Sequence, residues 1–211
     1  MKILLSFFDY TGNWSRPFTE NKQWQVKTFD IKRGQNILDF NPGEFMSEYL
    51  HSKNKYTIPE IGLLFAMPCT DYALSGSRHF KLKDIDGRTA QSQKLVAKMK
   101  EIIDWFEQSG CLKFYSIENP MTRIHTLNPW LGKVKFKFNP CDFAGYGFEN
   151  DRYNKATWLF GSFKNPIKKR IEPFEKDNPG WKKLGGKSER TKELRSITPL
   201  GFAYAFYEAN N

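Results

Sequence analysis

The sequence predicts an α/β fold built on a mostly parallel sheet. Three observations support this prediction: short apolar runs recur along the chain, the segments between them are long enough for crossover helices, and polar residues follow several of the runs. In open sheets of this kind, ligands bind outside the carboxyl ends of the strands. The polar residues that follow the apolar runs are therefore the first candidates for a functional site.

Six apolar runs are predicted as strands and two segments as helices. The run 2–8 is continuously apolar, which is typical of a strand buried on both faces. Residues 89–108 carry apolar side chains at helical spacing and Gly110 lies just past them, which predicts a helix that ends there. Residues 198–210 show a similar helical pattern. The other predicted strands are residues 24–31, 61–66, 112–117, 134–138 and 156–163.

Length and composition predict a folded, soluble domain. The 211 residues are 39% hydrophobic and 16% aromatic, which is enough to build a core and excludes a wholly disordered chain. No stretch approaches about eighteen consecutive apolar residues, so neither a transmembrane helix nor a membrane partner is expected. Three cysteines and three histidines lack the spacing of a disulfide framework or a metal site, so we expect an intracellular protein without bound metal.

The charge of the chain favours a polyanionic partner. Thirty-three Lys and Arg against twenty-three Asp and Glu give a net charge of +10, and the isoelectric point is near 9.4. Eleven basic and five acidic residues lie between positions 164 and 195, so this segment holds much of the excess. Nucleic-acid contact and a solvated surface both account for such a segment, and charge alone does not decide between them.

The turn after the first strand and the acid after the second favour an adenosine-bearing cofactor. Residues 8–13 contain a single glycine, Gly12, whereas a dinucleotide-binding turn contains several. Asp30 lies at the end of the second strand, where an acidic side chain can accept hydrogen bonds from a ribose. Each feature alone also fits a simpler alternative, a tight connection or a surface carboxylate. Together they favour a nucleoside cofactor without specifying it.

Cys69 is the candidate nucleophile among the three cysteines. It follows Pro68 directly at the end of a predicted strand and precedes a polar loop. A cysteine at the carboxyl edge of a sheet near a helix start is expected to have a lowered pKa and to attack as the thiolate. Cys111 and Cys141 lack such a setting and are interpreted as core or loop residues.

Two dipeptides connect the chain with a known family. Pro68-Cys69 and Glu118-Asn119 resemble the two catalytic motifs of the cytosine-5 DNA methyltransferases, Pro-Cys and Glu-Asn-Val, in order and in position at strand ends. The pattern is most similar to the compact phage-encoded members. Further segments resemble the family's cofactor turn (residues 7–12), its Asp-Ile pair at the adenine (Asn36-Ile37), its Gln-x-Arg-x-Arg motif (Tyr153-x-Lys155-x-Thr157) and its C-terminal return to the cofactor pocket (residues 198–203).

The resemblance implies a Rossmann-like, S-adenosylmethionine-dependent methyltransferase fold. Its parts would be a catalytic domain at residues 1–163, a short basic recognition-like lobe at 164–195 and a C-terminal helix at 196–211 that returns to the catalytic domain. It also implies that the protein acts on DNA in the cytoplasm of a bacterium or phage-infected cell, with S-adenosylhomocysteine as a product.

The resemblance further implies a mechanism and a set of site residues. The thiolate of Cys69 would add to C6 of a flipped-out cytosine, Glu118 would hydrogen-bond or protonate N3, and C5 would take the methyl group. Lys155 would complete the catalytic set. The cofactor-binding residues would be Phe8, Asp9, Thr11, Gly12, Asp30, Ile31, Asn36, Ile37 and Pro68, and the DNA-binding residues Lys168, Lys169, Arg170, Lys182 and Lys183.

The chain departs from the family pattern at several positions. Tyr10 and Asn13 replace glycines, Pro120 replaces the valine, and neither arginine of the Gln-x-Arg-x-Arg motif is present. The recognition region is short, so sequence recognition is expected to be weak or shared with a partner protein. Two alternatives stay open: an enzyme that modifies a pyrimidine nucleotide or RNA or uses a modified donor, and a methyltransferase-fold protein that binds without turnover.

Overall fold

Six β-strands form one mixed sheet in the computed structural model, which describes residues 2–53, 57–174 and 188–211. The strands are β1 (Lys2–Phe7), β2 (Trp24–Phe29), β3 (Glu60–Ala66), β4 (Leu112–Pro120), β5 (Phe136–Phe138) and β6 (Thr157–Ser162). They lie in the order β2-β1-β3-β4-β6-β5. β1 to β4 are parallel, whereas β6 runs antiparallel to both β4 and β5.

Helices cover both faces of this sheet, which makes the fold α/β and compatible with a Rossmann-like arrangement. No helix among the described residues combines the length and the apolar character needed to cross a bilayer. The α-helices of the described residues are α1 (Arg16–Glu20), α2 (Pro42–Lys53), α3 (Phe80–Ile85), α4 (Arg88–Gln108), α5 (Ile124–Leu127), α6 (Glu189–Ser196) and α7 (Leu200–Asn210).

The strand order reverses beside β1. The chain passes from β1 to β2 on one side and then crosses to β3 on the other side. In open α/β sheets, such a reversal leaves a crevice outside the carboxyl ends of the two strands that flank it. Here that crevice lies between the residues that follow β1 and those that follow β3, which include Asp9 and Cys69.

Two apolar clusters hold the helices against the sheet. On one face, Phe7 of β1 and Phe65 of β3 pack with side chains of α2 and α4. On the other face, Leu4 and Phe114 pack with side chains of α1 and α7. The run predicted to be buried on both faces therefore alternates between the two clusters, and five of the six residues of β1 are buried.

The predicted strands and helices are confirmed, with shifts at their ends. β4 continues three residues past the predicted run 112–117 because it pairs with the antiparallel β6 as far as Pro120 opposite Thr157. β2 ends two residues early because Asp30 caps a 3-10 helix, Ile31–Arg33, by accepting a hydrogen bond from the Lys32 N–H. The short helices α1, α3 and α5, together with α2 and α6, were not predicted from apolar periodicity.

The C-terminal segments pack against the sheet. The second residue of α7, Gly201, approaches the carbonyl of Phe143 so closely that a Cβ atom would collide with it. Residues 164–174 form neither helix nor strand, and they follow the 3-10 helix Pro140–Tyr146 through hydrogen bonds from Gly145 N–H to Lys169 and from Ile171 N–H to Cys141. Lys182 and Lys183 lie outside the described residues.

Candidate active site at the carboxyl edge of the sheet

Cys69 lies in a tight turn just past the carboxyl end of β3. Its carbonyl oxygen accepts hydrogen bonds from the N–H groups of Tyr72 and Ala73 at 3.0 and 2.9 Å. Ala73 in turn pairs with Thr122, which follows β4. These contacts fix the loop on the end of the neighbouring strand, so the thiol is held at the edge of the sheet and is half-buried.

The pKa of the Cys69 thiol is raised, not lowered. Burial is the largest cause, and the nearby Glu118 carboxyl acts in the same direction, whereas the charges of Lys155 and Arg195 act in the opposite direction. The expectation of a lowered pKa is therefore wrong. Its physical reason fails because no α-helix begins at Cys69: the next element is the 3-10 helix Leu74–His79, and burial dominates.

Glu118 stands near the carboxyl end of β4, next to β3. Burial raises the pKa of its carboxyl group, and the ammonium of Lys155 only partly opposes that effect. Within the described part of the chain, no hydrogen bond to this side chain is present. A carboxyl group in such a setting, without hydrogen-bond donors, favours its protonated form more than an exposed glutamate does.

Lys155 comes from a third segment, just before β6. Its ammonium donates a hydrogen bond to the carbonyl oxygen of Arg195 at 2.7 Å, and its own carbonyl accepts one from the Thr157 hydroxyl at 2.9 Å. Its charge acts on the titration of both Cys69 and Glu118. The structure therefore brings the three predicted catalytic residues into one neighbourhood, although they are separated by dozens of residues in the sequence.

Three further residues join this cluster without having been assigned a role from the sequence. Asn119 is fully buried, donates through Nδ2 to the carbonyl of Met67 at 3.2 Å, and so ties the end of β4 to the end of β3. Its Oδ1 has no partner among the described residues. Burial raises the pKa of Tyr153, and the neighbouring carboxyl groups of Asp151 and Glu118 act in the same direction. Arg195 acts electrostatically on Cys69.

Of these three, Tyr153 and Asn119 were visible in the sequence as motif members, yet the motifs gave them no chemistry. Arg195 was counted only as one charge of the basic segment. Its place at the site depends on α6 returning across the edge of the sheet. No short-range pattern in the sequence encodes that return.

The turn after β1 is held by Asp9. One carboxylate oxygen, Oδ2, accepts hydrogen bonds from the Ser6 hydroxyl, the Ser15 hydroxyl and the Ser15 N–H at 2.8–3.2 Å. Asp9 is buried, so these contacts assign its carboxylate to the turn and to the start of α1. Gly12 has a φ of +69° and Phe8 a φ of +61°, which is uncommon for a residue with a side chain and marks a constrained backbone at the strand end.

The segment after β2 presents a carboxylate and apolar atoms at the same edge. Asp30 is half-buried, and its Oδ1 accepts the N–H of Lys32 at 2.8 Å. Ile31 is 72% exposed, which is unusual for isoleucine. Ile37 belongs to the core, and Asn36 caps the next turn through the Leu38 N–H, so Leu38 is the exposed apolar side chain there.

The remaining predicted residues lie in three settings. Pro68 is exposed beside Cys69, and Thr11 is an exposed turn residue whose hydroxyl accepts a hydrogen bond from the Asn13 N–H at 3.4 Å. Lys168 and Arg170 bind the buried carboxylate of Asp142 at 2.9 and 2.7 Å. The ammonium of Lys169 lies 3.9 Å from the centre of the Tyr146 ring.

No family model matches this chain, and no curated protein matches it at a significant level. The chemistry of the site is therefore argued from its own residues. The arrangement combines a half-buried thiol, a carboxyl group that favours its proton and an ammonium group, all beside a crevice of the kind that binds nucleotides.

Proposed function

We propose that this chain is an S-adenosylmethionine-dependent enzyme that methylates C5 of cytosine in DNA through a covalent bond to Cys69. One observation carries the proposal: Cys69, Glu118 and Lys155 come from three separate segments and meet at the carboxyl edge, beside the strand-order reversal. The order of these residues along the chain is also that of the resembled family. A thiol, an acid and a cation in one place are the groups that the reaction needs.

Cys69 and Glu118 would act on two atoms of the same cytosine ring, Cys69 on C6 and Glu118 on N3. C5 of cytosine is a poor nucleophile, and addition of the Cys69 sulfur to C6 converts the ring to an enamine that is reactive at C5. Negative charge would build up at N3 during that addition. Glu118 would neutralise it by giving N3 its proton. After C5 has taken the methyl group, loss of the C5 proton to solvent would break the C6–S bond and release the Cys69 thiolate, and the proton on N3 would return to Glu118.

The raised pKa of Glu118 fits its proposed role, whereas the raised pKa of Cys69 opposes formation of the attacking thiolate. A protonated Glu118 is the form that can donate to N3. The thiol of Cys69 must lose its proton to attack, and the charge of Lys155 favours the thiolate. Lys155 would thus stabilise the attacking sulfur, while its hydrogen bond to the Arg195 carbonyl holds its ammonium near the site.

The residues after β1 and β2 fit a nucleoside cofactor. Asp30 keeps one carboxylate oxygen, Oδ2, without a partner among the described residues, and it can accept a ribose hydroxyl. The exposed side chains of Ile31 and Leu38 offer apolar contact for a base. When bound there, S-adenosylmethionine would supply the methyl group that C5 takes. Asp9 would contribute through the shape of the turn, because its Oδ2 is already occupied.

A duplex substrate requires the cytosine to leave the stack, since neither face of a stacked base is accessible to Cys69. Flipping a base out costs about a few kcal/mol, which contacts to the phosphates must offset. The net charge of +10 supplies the favourable field for such contacts.

Covalent trapping tests the proposal directly. A duplex that contains 5-fluorocytosine is incubated with the protein and S-adenosylmethionine. Because fluorine cannot leave as a proton does, the adduct should persist and map by mass spectrometry to Cys69. Cys69→Ser should give no adduct. Cys111→Ser, which changes a buried core thiol that donates to the Phe106 carbonyl, should behave like the wild type. An adduct at Cys111 or Cys141, or no adduct with cofactor bound, would refute the proposal.

A pyrimidine nucleotide is the second candidate substrate. One observation favours it: Asp142 already binds Lys168 and Arg170, which reduces the charge that the lobe offers to a phosphate backbone. Labelled methyl transfer to dCMP, compared with transfer to duplex DNA and to RNA, discriminates between the candidates. Transfer to dCMP alone would replace DNA as the substrate.

A further inference from the structure

The sheet ends on the β5 side in a row of exposed lysines. Lys133, Lys135 and Lys137 are exposed, whereas the intervening Val134 and Phe136 are partly buried against the apolar clusters. The backbone N–H of Lys135 donates to the carbonyl of Leu159, which extends the pairing with β6 beyond β5 itself. We call Lys133, Lys135 and Lys137 the lysine stripe.

The charges of the lysine stripe have no acidic partner among the described residues. The chain from Asn119 to Cys141 contains no Asp or Glu. By contrast, two of the five basic residues that the sequence favoured for DNA, Lys168 and Arg170, are already paired with Asp142. The ammonium groups of Lys135 and Lys137 lie 4.7 and 4.8 Å from the ring centres of Phe163 and Trp158, so aromatic faces, and not carboxylates, are their neighbours in the described structure.

The register of the sheet places this stripe close to the candidate active site. Glu118 of β4 is opposite Leu159 of β6, and Leu159 is opposite Phe136 of β5. Lys135 and Lys137 flank Phe136. Since neighbouring strands are about 4.8 Å apart, the backbone of the stripe lies roughly 10 Å from that of Glu118. Because paired residues share a face and successive residues alternate, Lys135 and Lys137 leave the sheet on the face opposite to Glu118. The stripe therefore lies beside the crevice, where the backbone that flanks a bound base would pass.

We infer that the lysine stripe binds the phosphate backbone of a DNA duplex whose target base enters the crevice at Cys69. This inference rests on the proposed function. The stripe runs over five residues, or about 13 Å at the rise of a strand, and so it can follow several consecutive phosphates. Lysines on an edge strand also prevent strands from pairing between molecules, but a strand of three residues is already protected by its shortness.

Salt-dependent binding of a fluorescent mixed-sequence duplex tests the inference. The stripe variant is K133Q/K135Q/K137Q. The matched control is K22Q/K27Q/K94Q, which removes the same charge from exposed lysines without an acidic partner among the described residues; Lys27 lies on β2, the opposite edge strand. The stripe variant should lose about 0.9 in salt slope per lost contact, up to roughly 2.7 in all, and should bind about tenfold or more weakly.

The control variant should keep a salt slope close to that of the wild type. Equal losses of salt slope and affinity in both variants would mean that the stripe acts only through the net charge of the protein, and this would overturn the inference. An unchanged slope in the stripe variant would also overturn it, as would a loss seen only with an RNA duplex of the same sequence. If the triple variant fails to fold by circular dichroism, the three single Lys→Gln variants are measured, each expected to lose about 0.9 in slope if its contact forms.

Methyl transfer separates this inference from the proposed function. With DNA as substrate, the stripe variant should raise KM about tenfold and leave kcat unchanged, because none of the three lysines is placed in the catalytic cluster. Stripe-dependent DNA binding without any methyl transfer would refute the proposed function and keep the binding surface. Methyl transfer with the same KM in the stripe variant and the wild type would support the proposed function and refute the binding surface.

Discussion

The pKa values of two carboxyl groups, the half-buried Glu118 and the buried Asp142, are shifted in opposite directions. Asp142 accepts hydrogen bonds from the Asn139 N–H, Lys168 and Arg170 at 2.7–2.9 Å. Burial would raise its pKa, but these three donors outweigh burial and hold the pKa below its ordinary value. Glu118 has no such donors within the described chain, and burial raises its pKa.

The difference shows that hydrogen-bond donors, and not burial alone, decide the direction in which the pKa of a carboxyl group shifts. The carboxylate of Asp142 is stabilised as an ion and connects Lys168 and Arg170 to the 3-10 helix Pro140–Tyr146. Glu118 has no such donors within the described chain and favours its protonated form more than an exposed glutamate does. Asp151 is intermediate: it is buried, has one donor in the Gly201 N–H at 2.7 Å, and its pKa is raised to about 6.

The largest expected effect is on the group without partners. Glu118→Gln keeps the shape of the side chain but removes its transferable proton, so methyl transfer should slow by about 10²- to 10⁴-fold. Melting temperature and cofactor affinity should change little. Glu48→Gln, at an exposed position of α2, is the matched control. Initial rates at saturating cofactor give the measurement, and equal rates for Glu118→Gln and the wild type would remove Glu118 from the chemistry.

The group with one partner should make stability depend on pH. The pKa of Asp151 is about 6 in the fold against an ordinary 3.8, so the folded state binds the proton more tightly than the unfolded chain does. Its stabilisation is fully present below pH 3.8 and is lost as the pH rises through about 6. Asp151→Asn should remove this fall, which amounts to about 2–3 kcal/mol.

Urea denaturation at a series of pH values, with both proteins, measures that difference. Asn can still accept the Gly201 N–H, so the start of α7 should be preserved. Parallel stability curves for the two proteins between pH 4 and pH 7 would show that Asp151 titrates normally. Asp151 would then belong with the paired carboxylates.

The group with three partners should matter for stability and not for chemistry. Asp142→Asn removes the charge that Lys168 and Arg170 bind, and we expect a loss of about 2 kcal/mol in the free energy of unfolding at neutral pH. Both cations are more than 40% exposed, so water can solvate them after the change, which limits the loss. The value of kcat should be unchanged. A drop in kcat with unchanged stability would contradict this prediction and would mean that Asp142 takes part in the chemistry.

The smallest expected effect concerns the cation of the site. Lys155→Met removes a charge that lowers the pKa of Cys69 and Glu118, so both pKa values should rise further. Alkylation of Cys69 by iodoacetamide near pH 8 should slow by roughly a few-fold, because the thiolate is the reactive form. Peptide mass spectrometry follows Cys69 alone, and Lys22→Met is the control. Faster alkylation in Lys155→Met would mean that Lys155 shields the thiol.

Much of the fold and the outline of the site follow from the sequence. Continuous apolar runs predict β1 and β3 because strands covered on both faces have no polar side, and parallel strands bring Cys69 and Glu118 to one edge. The direction in which the pKa of Cys69 shifts could not be predicted from the sequence, because it depends on how the loop after β3 buries the thiol. The pairing of Lys168 and Arg170 with Asp142 depends on contacts across 26 and 28 residues, which charge counting does not reveal.

The reversed direction of β6 has a consequence for how the site is completed during folding. Cys69 follows the parallel strand β3, and Glu118 lies near the end of the parallel strand β4. Lys155, by contrast, precedes the antiparallel strand β6, which begins at this edge of the sheet. The pairing of β6 with β4 fixes the backbone next to that lysine, and the hydrogen bond to the Arg195 carbonyl fixes its ammonium. A local opening that detaches β5 and β6 would leave the thiol and the acid in register but remove the cation. Amide hydrogen exchange in residues 157–162 would therefore report the fraction of molecules whose catalytic set is incomplete.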